Sequence, residues 1–284
     1  MIGTESDAVG VRPAPTVVPI AAVDDPRIEP FRSVRDRDLA GHGNRFVVEG
    51  EVVLRRLLGP TSRYAPESLL LAEPQAARLA PLLAGLPPEV PVFVAPPDVL
   101  DAIVGFRLHR GILAVARRGG AASAAALLAS CPRRAMVLVL VGLANHDNVG
   151  AAFRNAAAFG ADAVLLDSSC CDPLYRKAIR VSVGACLTVP FARGGTAPAL
   201  ICDLAATGFE PVALSPAGRE RLGDAAWSNR TALLVGAEGA GLPAALMAGL
   251  RTVRIDMAPG VDSLNVAAAA AVALHAASSA RSAD

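Results

Sequence analysis

Beyond residue 134 the chain alternates two hydrophobic patterns. Unbroken apolar runs read as strands: "AMVLVLVGL" (135–143), "ADAVLLD" (161–167), "TVPFA" (188–192), "EPVALS" (210–215), "TALLVGAEG" (231–239) and "RTVRID" (251–256). Between them the apolar positions fall at helical spacing, in "VGAAFRNAAAFG" (149–160), "DPLYRKAIRVSVGA" (172–185), "TAPALICDLAATG" (196–208), "LPAALMAGL" (242–250) and an Ala-rich stretch from Leu264 to Ser279. Strands that are apolar at every position are buried on both faces. The pattern therefore predicts an α/β fold with a parallel sheet between helices.

A looser version of the same alternation fills residues 26–118. "RFVVEG", "ESLLLAE", "VPVFVA" and "GILAVARR" read as strands, and "EVVLRRLL", "PQAARLAPLLAGL" and "PDVLDAIVG" as helices, within the size of one small domain. "DPRIEPFRSVRDRDL" predicts a charged helix with Asp25 as its cap and Pro26 at its first position. Residues 1–25, with scattered prolines and little periodicity, read as a flexible tail. "GGAASAAALLASCPRR" (119–134), small and weakly helical, reads as a linker, and residues 135–284 as the main domain.

Composition narrows the class. The 284 residues are 53% hydrophobic, enough to build a sizeable core. A net charge of +1 argues against a general polyanion binder, yet no acid occurs between Asp101 and Asp147 while Arg107, Arg110, Arg117, Arg118, Arg133 and Arg134 fall there. That stretch is either a local basic patch or a solvated segment with flanking charges. Five cysteines without a C-x-x-C pair exclude metal-finger spacing and a disulfide framework, and no cluster of ligands predicts a metal. "MIGTESDAVG" lacks an apolar signal core, and no run approaches the ~18 apolar residues of a membrane span. A cytoplasmic location away from membranes is the expectation.

The residues that carry chemistry sit after predicted strands. Three glycine-bearing loops, "ANHDNVG", "VGAEGAGLP" and "APGVDSLN", occupy the places where ligands collect in open α/β sheets. None is a dinucleotide fingerprint or a phosphate-binding P-loop, and no nucleophile elbow supports Ser-His-Asp chemistry. Arg154 stands out, ringed by alanines on a helix expected to face the core, where a charge is paired or used. From spacing alone the loops are either structural turns or a site for a polar cofactor, with the arginine meeting a phosphate-bearing substrate.

"NVGAAFRNAAAFGADAVLL", "LLVGAEGAGLP" and "VRIDMAPGVDSLNVAAAAAVAL" resemble, in order and spacing, the three motifs of the SpoU/TrmH family of SPOUT RNA ribose methyltransferases. "DPLYRKAIRVSVGACLTVPF" also matches the family pattern, so the resemblance covers most of residues 136–274. "RFVVEGEVVLRRLL" and "HRGILAVARR" resemble the start and end of the small ribosomal-protein-like α/β/α substrate-binding domain of many members.

The resemblance implies a parallel sheet with a deep C-terminal trefoil knot, a rare exception to unknotted topology. It implies S-adenosylmethionine as cofactor, RNA as substrate with rRNA favoured over tRNA, a ribose 2′-hydroxyl as methyl acceptor, and a homodimer whose second subunit completes the site. By its motifs, Gly236, Ile255, Met257 and Leu264 should hold the cofactor. Arg154 should contact the ribose hydroxyl and its phosphate, with a salt bridge to Glu238 as the competing or accompanying role. Asn148 and Asn265 should fix the loops, although a helix N-cap is an equal reading for Asn148. Ser263 should contact RNA or cofactor, and Glu238 the arginine or main-chain donors. Arg45, Arg107 and Arg110 are the expected RNA contacts of the first domain. Two departures stand out: "NHDN" where relatives often read Asp-Pro-x-Asn, and "IDM" where they often read Ile-Pro-Met, so Asp256 is expected to loosen the cofactor loop. A non-catalytic RNA-binding or assembly factor of the same fold is the alternative.

Overall fold

Leu69, Leu70 and Leu71 are all inaccessible to solvent, as an unbroken apolar run must be when both faces of its strand are covered. They lie in one of two compact units, Met1–Leu58 with Ala65–Arg117; the other comprises Gly59–Tyr64 with Arg118–Asp284. The structure is a computed structural model that describes residues 15–32, 44–105 and 107–282.

The first unit contains β1 (Val17–Pro19), a 3-10 helix (Pro26–Phe31), β2 (Arg45–Glu49), α1 (Glu51–Leu57), β3 (Pro66–Ala72), α2 (Glu73–Leu83), β4 (Val92–Ala95), α3 (Pro97–Val104) and β5 (Ile112–Arg117). Its sheet runs β1-β4-β3-β5-β2, with only β5 antiparallel to its neighbours. Ile28, Phe31, Phe93, Leu100 and Leu113 share one core. Two expectations are corrected here. Val17–Pro19, placed in a tail, pairs in register with Val92–Val94. The charged helix is a short 3-10 segment: Asp25 caps it as expected by accepting from the Arg27 N–H, but Pro30 has no N–H with which to extend an α-helical ladder. The rest of that predicted helix, beyond Arg32, lies outside the described residues.

The second unit contains α4 (Ala124–Ser130), β6 (Ala135–Leu140), α5 (His146–Ala158), β7 (Ala163–Leu166), α6 (Arg176–Val181), β8 (Phe191–Arg193), α7 (Ala197–Ala206), β9 (Glu210–Leu214), β10 (Glu220–Arg221), β11 (Arg230–Val235), α8 (Ala244–Met247), β12 (Arg251–Arg254) and α9 (Val266–Ser282). Every pairing in its sheet, ordered β10-β12-β9-β11-β6-β7-β8, is parallel. The linker expectation fails over α4. Ser123 caps this helix, and Leu127 and Leu128 are buried against Val137, Leu165 and Leu200, two anchors masked by the surrounding alanines. The helix predicted over 172–185 is cut to α6 because Val183 and Gly184 both take positive φ, at 53° and 80°. At Gly150 the two helices meet: a Cβ there would lie 2.6 Å from the Ala178 carbonyl oxygen of α6.

Candidate active site

The strands β9, β11 and β12 end side by side, and the segments that leave them enclose a cavity of about 500 Å³. Its wall includes Ser215 after β9, the turn from Gly236 to Leu242 after β11, Ile255 and Met257 after β12, and Ser263 to Val266 at the start of α9. Backbone dictates the second of these. Gly241 donates its N–H to the Ala237 carbonyl at 2.9 Å, with Gly239 and Gly241 at φ of 79° and 65°. This fold-back brings Gly241 so close that a Cβ on Gly236 would fall 2.2 Å from its carbonyl carbon. Glycine at 236 is therefore a spatial requirement, and it leaves main chain rather than side chain facing the cavity.

The third loop is nearly free of internal structure. From Asp256 to Leu264 the described backbone makes one main-chain hydrogen bond, Val261 N–H to the Ala258 carbonyl, so most amides there remain available to a ligand. Side chains anchor the loop at its ends. Asp256 forms ion pairs with Arg221 of β10 and Arg254 of β12, and the Arg221 hydrogen bond holds its carboxyl below the ordinary range. The position expected to loosen the loop is tied to two strands.

At the far end Asn265 is a junction. Its Oδ1 accepts the N–H groups of Ala267 and Ala268 at 3.0 and 3.3 Å, capping α9. Its Nδ2 donates to Asn148 Oδ1 at 3.0 Å and to Glu238 Oε1 at 2.7 Å. Helix α5, the 236–242 turn and the start of α9 are thereby joined through one amide. Asn148 is buried in the first turn of α5 and does not cap it; Asn145 does, accepting the Asp147 N–H. A second tie runs from Asn155 Nδ2 to the Ala267 carbonyl at 2.7 Å, bracing α5 against α9.

Arg154 corrects the expectation that raised it. It is exposed, not core-facing, and makes no hydrogen bond or ion pair among the described residues. Glu238, the proposed partner, is engaged by Asn265 instead. The cavity wall gathers the four expected cofactor residues Gly236, Ile255, Met257 and Leu264, together with Glu238, Ser263 and Asn265, but neither Asn148 nor Arg154. His146, the first residue of α5, packs its ring against Tyr175 with centroids 4.1 Å apart. Residues that sequence reading passed over include Leu214, Ser215 and Pro216. Their only signal was position, at the carboxyl end of a predicted strand.

Of the three expected RNA contacts in the first unit, Arg107 and Arg110 are exposed, and Arg110 lies across Gly50. Arg45 is partly spent: it pairs with Glu67, which also takes Arg117. Burial pushes the Glu67 carboxyl up, but the two guanidiniums outweigh it and hold the group below its ordinary value. No helix of the described residues is long and apolar enough to cross a membrane.

Residues 135–275 match the SpoU rRNA Methylase family. An uncharacterized tRNA/rRNA methyltransferase of Mycobacterium bovis is 42% identical over 262 residues, covering 89% of this chain and 88% of the relative. Among solved structures, the SpoU methyltransferase AviRb from Streptomyces viridochromogenes, in complex with the cofactor AdoMet, superposes with a TM-score of 0.78 at 22% identity, covering 92% of this chain and 100% of that one. A crystal structure described as an RNA 2′-O ribose methyltransferase gives 0.73 at 25%, covering 93% and 99%. The chain belongs to the SpoU rRNA methylase family, a family of RNA methyltransferases.

Proposed function

We propose that the protein methylates a ribose 2′-hydroxyl of RNA, with S-adenosylmethionine as donor. One observation carries the reading: the four residues expected to hold the cofactor, drawn from two separate loops, line a single cavity at the carboxyl edge of the parallel sheet. The cavity fits the group. Gly236, with no room for a Cβ, presents main chain to it, Ile255, Met257 and Leu264 supply apolar surface, and the loose 256–264 backbone offers free amides. The cofactor, when bound, supplies a methyl group on a positively charged sulfur that is open to attack by oxygen.

The chain's own residues set the rest. Asn265 holds α5, the 236–242 turn and the start of α9 in one arrangement through Asn148 and Glu238, and Ser263 borders the cavity for contact with cofactor or RNA. Arg154 binds the target ribose hydroxyl and its neighbouring phosphate. A guanidinium is a donor with no acceptor lone pair, so the proton passes instead to a substrate phosphate oxygen. Arg154, exposed and without a partner among the described residues, suits a site completed by a second copy, so a homodimer belongs to this reading, as does the C-terminal knot. Arg107, Arg110 and, less fully, Arg45 carry RNA on the first unit, a substrate-binding domain that favours rRNA over tRNA.

The test is methyl transfer from labelled S-adenosylmethionine to unmodified ribosomal subunits, free rRNA and tRNA, with Arg154→Ala as control and digestion to nucleosides. Label in a 2′-O-methylnucleoside, lost in the variant, supports the proposal. RNA binding without label would make the protein a non-catalytic factor; label in a base would move the acceptor off the ribose.

A further inference from the structure

The second unit has another large cavity, about 870 Å³ and open to solvent, at the opposite edge of its sheet. Its wall is formed where β6, β9 and β11 begin, by Arg133 and Arg134, by Phe209 and Glu210, and by Asn229 and Arg230. Three arginines face one carboxylate, and Glu210 also reaches toward Arg251 at 3.4 Å. The cavity is thus a local concentration of positive charge in a chain whose net charge is +1.

Arg230 is the structural part of this arrangement. Its guanidinium lies over the Phe209 ring, 4.1 Å from the centroid. Its terminal nitrogens donate to the carbonyls of Leu128, Cys131 and Pro132, and its Nε is buried without a partner. The guanidinium therefore pins the end of α4 and the turn that follows. That turn presents Arg133 and Arg134 to solvent as adjacent cations on a fixed backbone. Arg133 makes no hydrogen bond or ion pair among the described residues. Phe209, the one aromatic face in the wall, is covered by Arg230, so nothing there offers a stacking slot for a base.

We propose that this edge is a second RNA contact: Arg133 and Arg134 bind phosphate groups of the RNA backbone, without reading sequence, on the side of the sheet away from the methyl-transfer cavity. The chemistry is phosphate recognition by paired guanidiniums. Without a base slot, a phosphodiester chain fits better than a free nucleotide, and an open cavity admits a strand passing through. The proposal rests on the RNA reading above and adds a surface to it.

The test uses the full chain, with Arg133→Glu/Arg134→Glu and the milder Arg133→Gln/Arg134→Gln. Binding of a single-stranded RNA oligomer is followed across salt concentrations, alongside S-adenosylmethionine affinity and competition by inorganic pyrophosphate. The expected result is about tenfold weaker RNA binding on charge reversal and a smaller loss with glutamine. The salt slope should be shallower by about 1.4, two contacts at roughly 0.7 each for single strands. Cofactor affinity should hold, which also certifies the fold. Unchanged RNA affinity and salt slope in both variants would overturn the proposal. So would pyrophosphate binding that depends on the pair while RNA binding does not, since the site would then serve a free phosphate. Failure of the wild-type chain to bind or methylate any RNA is a separate outcome that overturns the functional reading itself.

Discussion

Asn265→Ala removes a side chain that joins α5, the 236–242 turn and α9. The α9 cap is worth about 1 kcal/mol. Losing the donor to Asn148 strands a buried acceptor, at about 1–3 kcal/mol. The bond to Glu238 is solvent-exposed and adds little. The sum is a destabilisation of about 2–4 kcal/mol. The assay is urea unfolding followed by fluorescence of Trp227, the single tryptophan, which lies in this unit. The midpoint should fall with an unchanged slope. Asn265→Asp separates the contributions. It keeps the acceptor for the Ala267 and Ala268 amides, and a carboxylate suits a helix N-terminus. It cannot donate, and it sets a second negative charge beside Glu238. It should therefore recover about the cap's share, roughly 1 kcal/mol. A change below about 0.5 kcal/mol in the alanine variant, within the range of an ordinary surface site, would refute the junction.

Four further outcomes follow from the geometry. Gly236→Ala forces the 237–241 turn open and should weaken S-adenosylmethionine binding by about tenfold or more in calorimetric titration, a cost of about 1.4 kcal/mol; affinity within twofold of wild type would contradict it. Arg154→Ala should unfold within about 0.5 kcal/mol of wild type, since the side chain is exposed and has no partner among the described residues, yet lose methyl transfer. Gly150→Ala should cost about 1–3 kcal/mol by pushing α5 from α6, measured as a shift in the same unfolding midpoint. Burial pushes the Cys170 and Cys186 thiols up to about 12. Between the ordinary value of 9.0 and about 12, the unfolded thiols ionise while the folded ones keep their protons, so stability should fall as pH rises through that window. Alkylation at pH 8 checks the same burial, with exposed Cys202 reacting and the other two spared until unfolding.

Long apolar strands were legible because burial on both faces leaves no room for ambiguity: β6 and β7 each lie within a run read as strand, and β11 begins one residue before its run. The convergence of the glycine loops was legible through motif order, whereas their junction was not. Nothing in the spacing of Asn148, Glu238 and Asn265, more than a hundred residues from first to last, announces a shared hydrogen-bond network. Alanine misled twice. On α5, Ala157 and Ala158 are exposed beside Arg154 while Val149, Ala152, Phe153 and Ala156 form the buried stripe. Alanine buries too little area to mark a face, so the arginine looked trapped when it was free. In α4 the same residue type hid two leucines that belong to the core. Val17–Pro19 was missed for a different reason: a three-residue edge strand leaves no periodicity to read.

The strand order β10-β12-β9-β11-β6-β7-β8 has a consequence for how the protein is made. A ribosome delivers β6, β7 and β8 in an order that lets them assemble at once, each beside its predecessor. β9 must wait, because both of its neighbours, β11 and β12, are synthesised later. Until Val235 emerges β6 keeps an open flank, and until Arg254 emerges β9 lacks one of its two neighbours, the kind of surface that holdase chaperones recognise and that pairs wrongly between crowded chains. Translation speed across residues 215–254 should therefore govern the yield of folded protein more strongly than speed anywhere earlier in the same unit.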